Sequence, residues 1–354
     1  MEKHYYSETI PQSDWVRQRY VDGVNSAVAQ LKAHANAKRE AWATPANLAA
    51  NRETFRKTYA EMLGIPVLEE VFGTGAPESI EEFPVATDDV CTITRMIFHL
   101  KGDVVLTGLM LRPHNAPAQA RLVIGQHGGG GAPELCSDLV GKNNYNHMVR
   151  RVMERGAVVF CPQLLLWNYG VVKREGGIPH FEPPFDRQRT DAALKQCGSS
   201  IAAFEIYAIS RVLTALLARP DVKSDGCGMI GISYGGFYTL YTMAYEPRII
   251  SGYSIAFFND RMKYGWGDFV WPASGTKFND PEVAALCAPR RLWLEVGKKD
   301  PVFDNSHVTD VFDKVVPFFE AAGCPDEVRL NLWEGGHTLD NEDIGLEWFF
   351  EALN

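Results

Sequence analysis

Three short stretches of this chain hold residue types that together perform nucleophilic acyl-transfer chemistry. Ser233 lies in Gly231-Ile232-Ser233-Tyr234-Gly235, with Gly236 behind it. A β-rich run, Cys227-Gly228-Met229-Ile230, precedes it, and a helix-like run from Phe237 to Tyr245 follows. That context marks a nucleophile elbow, a sharp strand-to-helix turn that lifts one serine into a pocket. The turn is crowded, so its flanking positions must be glycine. A glycine-rich chain produces such a pentapeptide by chance often enough that the motif needs partners. A serine hydroxyl is a poor nucleophile near neutral pH. It requires a base within hydrogen-bond reach, and the base requires an orienting carboxylate. Asp300, in Gly297-Lys298-Lys299-Asp300-Pro301, and His337, in Glu334-Gly335-Gly336-His337-Thr338, supply the order serine, acid, histidine. Each lies just past a strand-like run, where a loop can aim it back at the elbow. Alone, Asp300 would read as a turn residue before proline, and His337 as a helix-entry residue. Asp260 is the main rival acid, and Asp304 and Glu334 are weaker ones.

A tetrahedral intermediate also needs backbone donors aimed at its oxyanion. The N–H of Tyr234, directly after the serine, is one expected donor. The second is expected from Gln126-His127-Gly128-Gly129-Gly130-Gly131, which follows the strand-like Leu122-Val123-Ile124; Gly128 and Gly129 are the candidates. Bare glycine backbone can approach a ligand closely. A phosphate cradle is the competing reading, but the Gly-Lys-Ser/Thr ending is missing and the spacing fits a dinucleotide loop poorly. His127 reads as structural, because no partner sits at metal-ligand spacing, and no metal is expected.

The elements that must hold these residues alternate along the chain. Cys91–Leu100 and Val104–Leu111 read as a hairpin joined by Lys101-Gly102-Asp103. Strand-like runs follow at 122–124, 157–161, 228–232, 253–258, 292–296 and 328–333, with helix-like runs at 201–218, 237–245, 309–322 and 343–353. Short apolar strands alternating with helices imply a mainly parallel central sheet with helices on both faces. Residues 163–200 form the longest irregular stretch and read as a lid-like insertion. Residues 1–75 read as an N-terminal helical extension packed on the core, ahead of a catalytic domain over 76–354. In the extension Trp15, Val16, Tyr20, Val24, Val28 and Leu31 recur at helical spacing. Thr44 and Pro45 open a second helix that Gly64 and Pro66 end.

The chain has 354 residues, of which 46% are hydrophobic, and a net charge of −9 with the two signs mixed. No basic block points to nucleic acid or an anionic membrane. No apolar run approaches a membrane span. The seven cysteines are scattered, without a CxxC pair, which argues against a zinc site or a disulfide framework. Reduced thiols, and an N-terminus without a signal-like apolar core, lead to the expectation of a cytoplasmic protein.

With these residues in view, the chain resembles α/β-hydrolases of the dienelactone-hydrolase and acetyl-xylan-esterase-like group, including the bacterial α/β-hydrolase family 7. The likeness is carried by Ala203-Phe204-Glu205, Arg219-Pro220-Asp221-Val222, the elbow itself and Glu246-Pro247-Arg248-Ile249, all at the group's spacings. Gln126–Gly130, Ala288-Pro289-Arg290-Arg291 and Gly297–Asp300 extend it over roughly residues 50 to 350. The resemblance implies an α/β-hydrolase fold and a serine esterase that needs no cofactor. It puts Ser233, Asp300 and His337 at the positions of nucleophile, acid and base. A prolyl-oligopeptidase-like peptidase is the alternative, disfavoured because the roughly 90 residues before the first strand read as helical, where those enzymes carry a propeller. A hydrolase-fold receptor without turnover is the alternative from another class. An aspartate-nucleophile dehalogenase is disfavoured because the elbow carries serine. The expected partner is a small ester, a carbohydrate acetate or uronoyl ester among the options. Trp167, Tyr169, Phe181, Phe185, Trp266 and Trp271 are candidates for the pocket entrance, with Trp167 and Trp271 as the substrate-binding pair. Arg187 and Arg189 are candidates for holding a substrate carboxylate. Acyl group, alcohol group and oligomeric state are not encoded in any motif.

Overall fold

The computed structural model describes residues 7–140, 143–165 and 185–354. Among these residues nine strands make one sheet: β1 (Ser79–Thr87), β2 (Cys91–Lys101), β3 (Val104–Pro113), β4 (Leu122–Gln126), β5 (Val158–Pro162), β6 (Cys227–Ile232), β7 (Ile249–Ile255), β8 (Arg291–Gly297) and β9 (Val328–Trp333). Their order is β1-β2-β3-β5-β4-β6-β7-β8-β9. The pairings from β1 through β3 to β5 are antiparallel, and those from β5 through β9 are parallel. The helices are α1 (Ile10–Trp42), α2 (Pro45–Ala50), α3 (Arg52–Leu63), α4 (Ile65–Phe72), α5 (Pro133–Cys136), α6 (Met148–Met153), α7 (Arg187–Gln196), α8 (Ile201–Leu216), α9 (Tyr234–Tyr245), α10 (Asp280–Cys287), α11 (Val308–Phe312), α12 (Val316–Ala321) and α13 (Ile344–Glu351).

The two faces of the sheet follow from the period-two direction of strand side chains. In β4, Leu122 and Ile124 join a core shared with α8, α9 and α10, whereas Val123 joins the opposite core with α6 and α13. β5 divides the same way, Val158 and Phe160 against Val159 and Cys161. Both faces are therefore covered, as a parallel sheet requires. Phe237, Leu240, Met243 and Ala244 of α9 have no exposed surface. Each large apolar side chain so buried contributes about 1.5–3 kcal/mol, which fixes α9 firmly on the sheet.

Four expectations need correction. β1 was not foreseen. Glu81-Glu82 interrupts its alternation, and Pro84 reads as a breaker, yet an edge strand tolerates both. β7 begins at Ile249, four residues before the expected start. Within 163–200, residues 187–196 are helical: the Asp186 side chain accepts from the Arg189 N–H, and Asp191 pairs with Lys195 one turn on. The helix expected to start after Thr44 is two, broken at Asn51, and α3 stops at Gly64 in the left-handed region (φ +91°) before α4 continues from Ile65.

The extension also departs from its reading. The C-terminal part of α1 is tied down. Lys32 Nζ donates to the Met262 carbonyl at 2.5 Å, Arg39 pairs with Glu282 at 3.0 Å, and Trp42 stacks on Phe55 at 4.3 Å. Upstream, the apolar stripe lies in solvent: Trp15 is 60% exposed, Tyr20 76% and Leu31 66%. Helical spacing in this stretch makes a helix whose apolar residues stand exposed, while Ser13 on the same helix is buried.

Candidate active site

β6 is buried along its whole length and stops at Ile232. Ser233 then takes φ +61°, ψ −119°, a conformation that costs a non-glycine residue about 1–3 kcal/mol. Its N–H donates to the Ile255 carbonyl at 2.8 Å, and its carbonyl accepts from the Phe237 N–H at 2.9 Å, which starts α9. A Cβ on Gly231 would lie 2.5 Å from the Gly235 oxygen, and one on Gly235 would collide with the Gln126 carbonyl. The backbone of β4, the end of β6 and the first turn of α9 thus touch without side chains between them. Ser233 stays partly exposed while Ile232 and Tyr234 on either side are buried.

Asp300 and His337 are brought together by register. Ile232 pairs with Ile255, Ile255 with Glu295, and Glu295 with Asn331, so β6 to β9 end at one edge of the sheet. The loops after β8 and β9 are zipped by two backbone bonds of 2.8 Å, Lys298 N–H to the Trp333 carbonyl and Lys299 N–H to the Gly335 carbonyl. His337 Nδ1 lies 2.7 Å from Asp300 Oδ2. The other carboxylate oxygen of Asp300 accepts from the N–H groups of Val302 (2.7 Å) and Phe303 (3.2 Å). The Asp300 side chain is fully buried, and that of His337 is 14% exposed. With Asp300 accepting, Nδ1 carries the imidazole proton and Nε2 keeps its lone pair. The rival acids are engaged elsewhere. Asp260 accepts from the Met262 N–H and Asn279 Nδ2, Asp304 accepts from the Ser306 N–H, and Glu334 pairs with Lys298 at 2.5 Å.

An aromatic chain spans the gap between elbow and histidine. Tyr234 stacks on Trp266 (centroids 6.0 Å, 10° between planes), Trp266 packs on Phe303 at 5.5 Å, and Phe303 lies 6.0 Å from the His337 ring. Phe303 was not among the residues foreseen. Its position three residues after Asp300 was the available signal.

The glycine loop sits against the elbow, with a Cβ on Gly128 placed 3.3 Å from Ser233 Cβ. His127 beneath it is completely buried. Its Nδ1 donates to the Gly128 carbonyl at 2.9 Å, and its Nε2 accepts from the Leu164 N–H at 3.1 Å. Burial pushes this imidazole down to about 4, so it stays neutral and acts as a strut. One expected donor is corrected: the Gly128 N–H donates to the Tyr145 hydroxyl at 2.9 Å, so it does not serve an oxyanion. Gly129, the next residue, is exposed. Tyr234 occupies the first turn of α9, where backbone N–H groups have no intrahelical acceptor.

The substrate-binding candidates fare differently. Arg187 is 3% exposed and lies inside an ion cluster, 2.6 Å from Asp268 and 3.1 Å from Glu205, donating also to Tyr238 Oη at 2.8 Å. Tyr234 Oη donates to Asp268, so the cluster braces the elbow helix from behind. Two buried carboxylates require that cation, and it is not available to a substrate. Trp271 is 6% exposed, donates to Ser200 Oγ at 3.0 Å and stacks on Tyr241; it is a core pin. Both assignments are overturned. Residue type in a loop says nothing of where the side chain is spent. Arg189 is exposed on α7, and Phe185 is half-buried. Trp167, Tyr169 and Phe181 lie outside the described residues.

No protein-family model matches the chain. Among curated proteins, YtaP of Bacillus subtilis (strain 168), described as a hydrolase, is 21% identical over 275 residues, covering 74% of this chain and 87% of that protein. Among solved structures, a methylesterase superposes with a TM-score of 0.66 at 15% identity over 93% of this chain and 70% of that one. A Bacteroides fragilis protein described as an acetyl xylan esterase gives 0.62 at 15% identity over 88% and 84%. A glucuronoyl esterase from Solibacter usitatus gives 0.58 at 15% identity over 89% and 93%. At these identities the likeness concerns architecture, and the chain has the α/β-hydrolase fold with an added N-terminal helix.

Proposed function

We infer that the chain is a serine carboxylic ester hydrolase acting on a small acyl ester of a carbohydrate. The observation that carries this is a strained, partly exposed Ser233 at the same sheet edge as a buried Asp300 bonded to His337. Ser233 Oγ attacks the ester carbonyl and its proton passes to His337 Nε2. The carbonyl π pair moves onto oxygen, where the N–H groups of Tyr234 and Gly129 stabilise the oxyanion. Collapse expels the alcohol, which takes the proton from His337 and leaves an acyl-Ser233 ester. Water, deprotonated by the same histidine, then releases the carboxylic acid and restores the serine. Asp300 holds the imidazole tautomer and stabilises the imidazolium formed at each step. No step calls for a cofactor.

Support for a carbohydrate ester comes from the carbohydrate esterases among the structural neighbours. An ester is the easier substrate for such a site, since an alkoxide departs more readily than an amine, which must be protonated as it leaves. Two measurements test the reading. Fluorophosphonate treatment should add one adduct by intact mass, mapped to Ser233. The kcat/KM for p-nitrophenyl acetate and acetylated xylooligosaccharides should far exceed that for aminoacyl p-nitroanilides. Efficient anilide cleavage with no turnover of sugar esters would replace the esterase reading with a peptidase.

A further inference from the structure

Beside the His337 loop lies an open cleft of about 520 Å³ that no step above uses. One wall is the loop leading into α6 and the other is the segment after β9. The two are laced together. Asn144 Nδ2 donates to the His337 carbonyl at 2.8 Å, and Thr338 Oγ1 donates to the Asn144 carbonyl at 2.7 Å. Asn146 Nδ2 reaches the Leu339 carbonyl at 3.1 Å and Asn341 Oδ1 at 3.0 Å. Trp333 lines the same cleft, its indole laid over Gly335, where any Cβ would strike the ring.

The lacing leaves specific atoms over. Among the described residues, Asn144 Oδ1, Asn146 Oδ1, Asn341 Nδ2 and His147 Nε2 have no protein partner. They are two acceptors, one donor and one imidazole nitrogen, next to an aromatic side chain. The described lining holds no lysine or arginine, and its single carboxylate, Asp138, is already engaged by His147 and Asn143. Among the described residues the lining offers an anion no ammonium or guanidinium group, and few apolar groups for an acyl chain. Mixed neutral donors and acceptors beside an indole suit a polyhydroxylated ring, whose hydroxyls both give and accept and whose C–H face packs on aromatic carbon.

We propose that this cleft is a subsite for a neutral sugar residue of the substrate, adjoining the scissile ester on the His337 side. It rests on the reading of the chain as a carbohydrate ester hydrolase and specifies where the glycan is held. Asn144 and Trp333 also support the His337 loop, so neither is a clean probe. His147→Ala and Asn341→Ala combined remove two of the unspent groups, together with the Asn146–Asn341 and His147–Asp138 bonds, and leave the Asn144 bonds to the His337 carbonyl and Thr338 in place. With acetylated xylotetraose the double variant should show a KM raised about tenfold at unchanged kcat, the loss expected of two neutral hydrogen bonds. With p-nitrophenyl acetate, which cannot reach the cleft, both parameters should equal those of the parent. Calorimetry of xylotetraose and cellotetraose on a Ser233→Ala background should show binding that the double variant loses. Unchanged KM, with no oligosaccharide binding in a protein that turns over p-nitrophenyl acetate, would overturn the subsite alone. A parent protein inert toward every ester would overturn the functional reading, and the subsite with it.

Discussion

The elbow helix α9 and the N-terminal helix α1 carry the same kind of signal, apolar residues at helical spacing, and meet opposite fates. In α9, Phe237, Leu240 and Tyr241 are buried on the sheet. In α1, Tyr20 and Leu31 stand in water. The difference is in the backbone that precedes each. Gly231 and Gly235 let three segments touch, so α9 has only one place to lie. Among the described residues no such close backbone contact holds α1 ahead of Lys32, whose Nζ bonds the Met262 carbonyl, although Ser13 near its start is buried. Periodicity specifies a helix; close backbone contact specifies where the helix goes.

The sharpest break in this comparison is at the sheet edge that carries Ser233, Asp300 and His337. Asp300→Asn keeps the geometry but favours the wrong histidine tautomer, and kcat for an ester should fall about 10³- to 10⁴-fold. Asp260→Asn, which alters a turn cap, should leave kcat within a few-fold of the parent. Reversal of that pair would move the acid to the loop after β7.

A middle-sized effect concerns His127 under the glycine loop. Its folded value of about 4 lies below the unfolded value of about 6.5. Between these pH values the unfolded chain binds the extra proton, so stability falls as pH drops through that window. The gap corresponds to about 3 kcal/mol. Urea melts of the parent and of His127→Gln should therefore converge as pH is lowered from 7 to 4. Curves that stay parallel would mean the imidazole is not held neutral.

The smallest effect is expected in α1. Tyr20→Ala and Leu31→Ala should each change stability by no more than about 0.5 kcal/mol, whereas Leu240→Ala in α9 should cost about 2–5 kcal/mol. A large loss at Tyr20 or Leu31 would show that the stripe is covered in solution.

The strand ends that carry Ser233, Asp300 and His337 were more legible in the sequence than their surroundings. Ser233 could be read because its neighbours must be glycine, and the Asp300 and His337 loops because each follows a short apolar strand. What escaped depends on contacts between distant segments. The Gly128 N–H is taken by a tyrosine hydroxyl 17 residues on. Arg187 and Trp271 look like loop residues facing a ligand, but each is consumed by partners whose positions only the fold defines. β1 was lost because its glutamates and proline erase the alternation that marks a strand.

Those same residues matter for the outer margin of the sheet. Among the described residues β1 pairs only with β2, every residue of it is exposed, and Ile80, Phe83 and Val85 are apolar. A strand of that kind invites another chain to add on in edge-to-edge self-assembly. Pro84 has no N–H to offer, the register shifts between Pro84 and Ala86, Glu81 bonds His99, and Glu82 pairs with Arg219 at 2.6 Å. A second copy adding on at β1 would leave a ladder bond unmade at Pro84 and would have to displace these side-chain contacts, so the edge is a poor template for another strand.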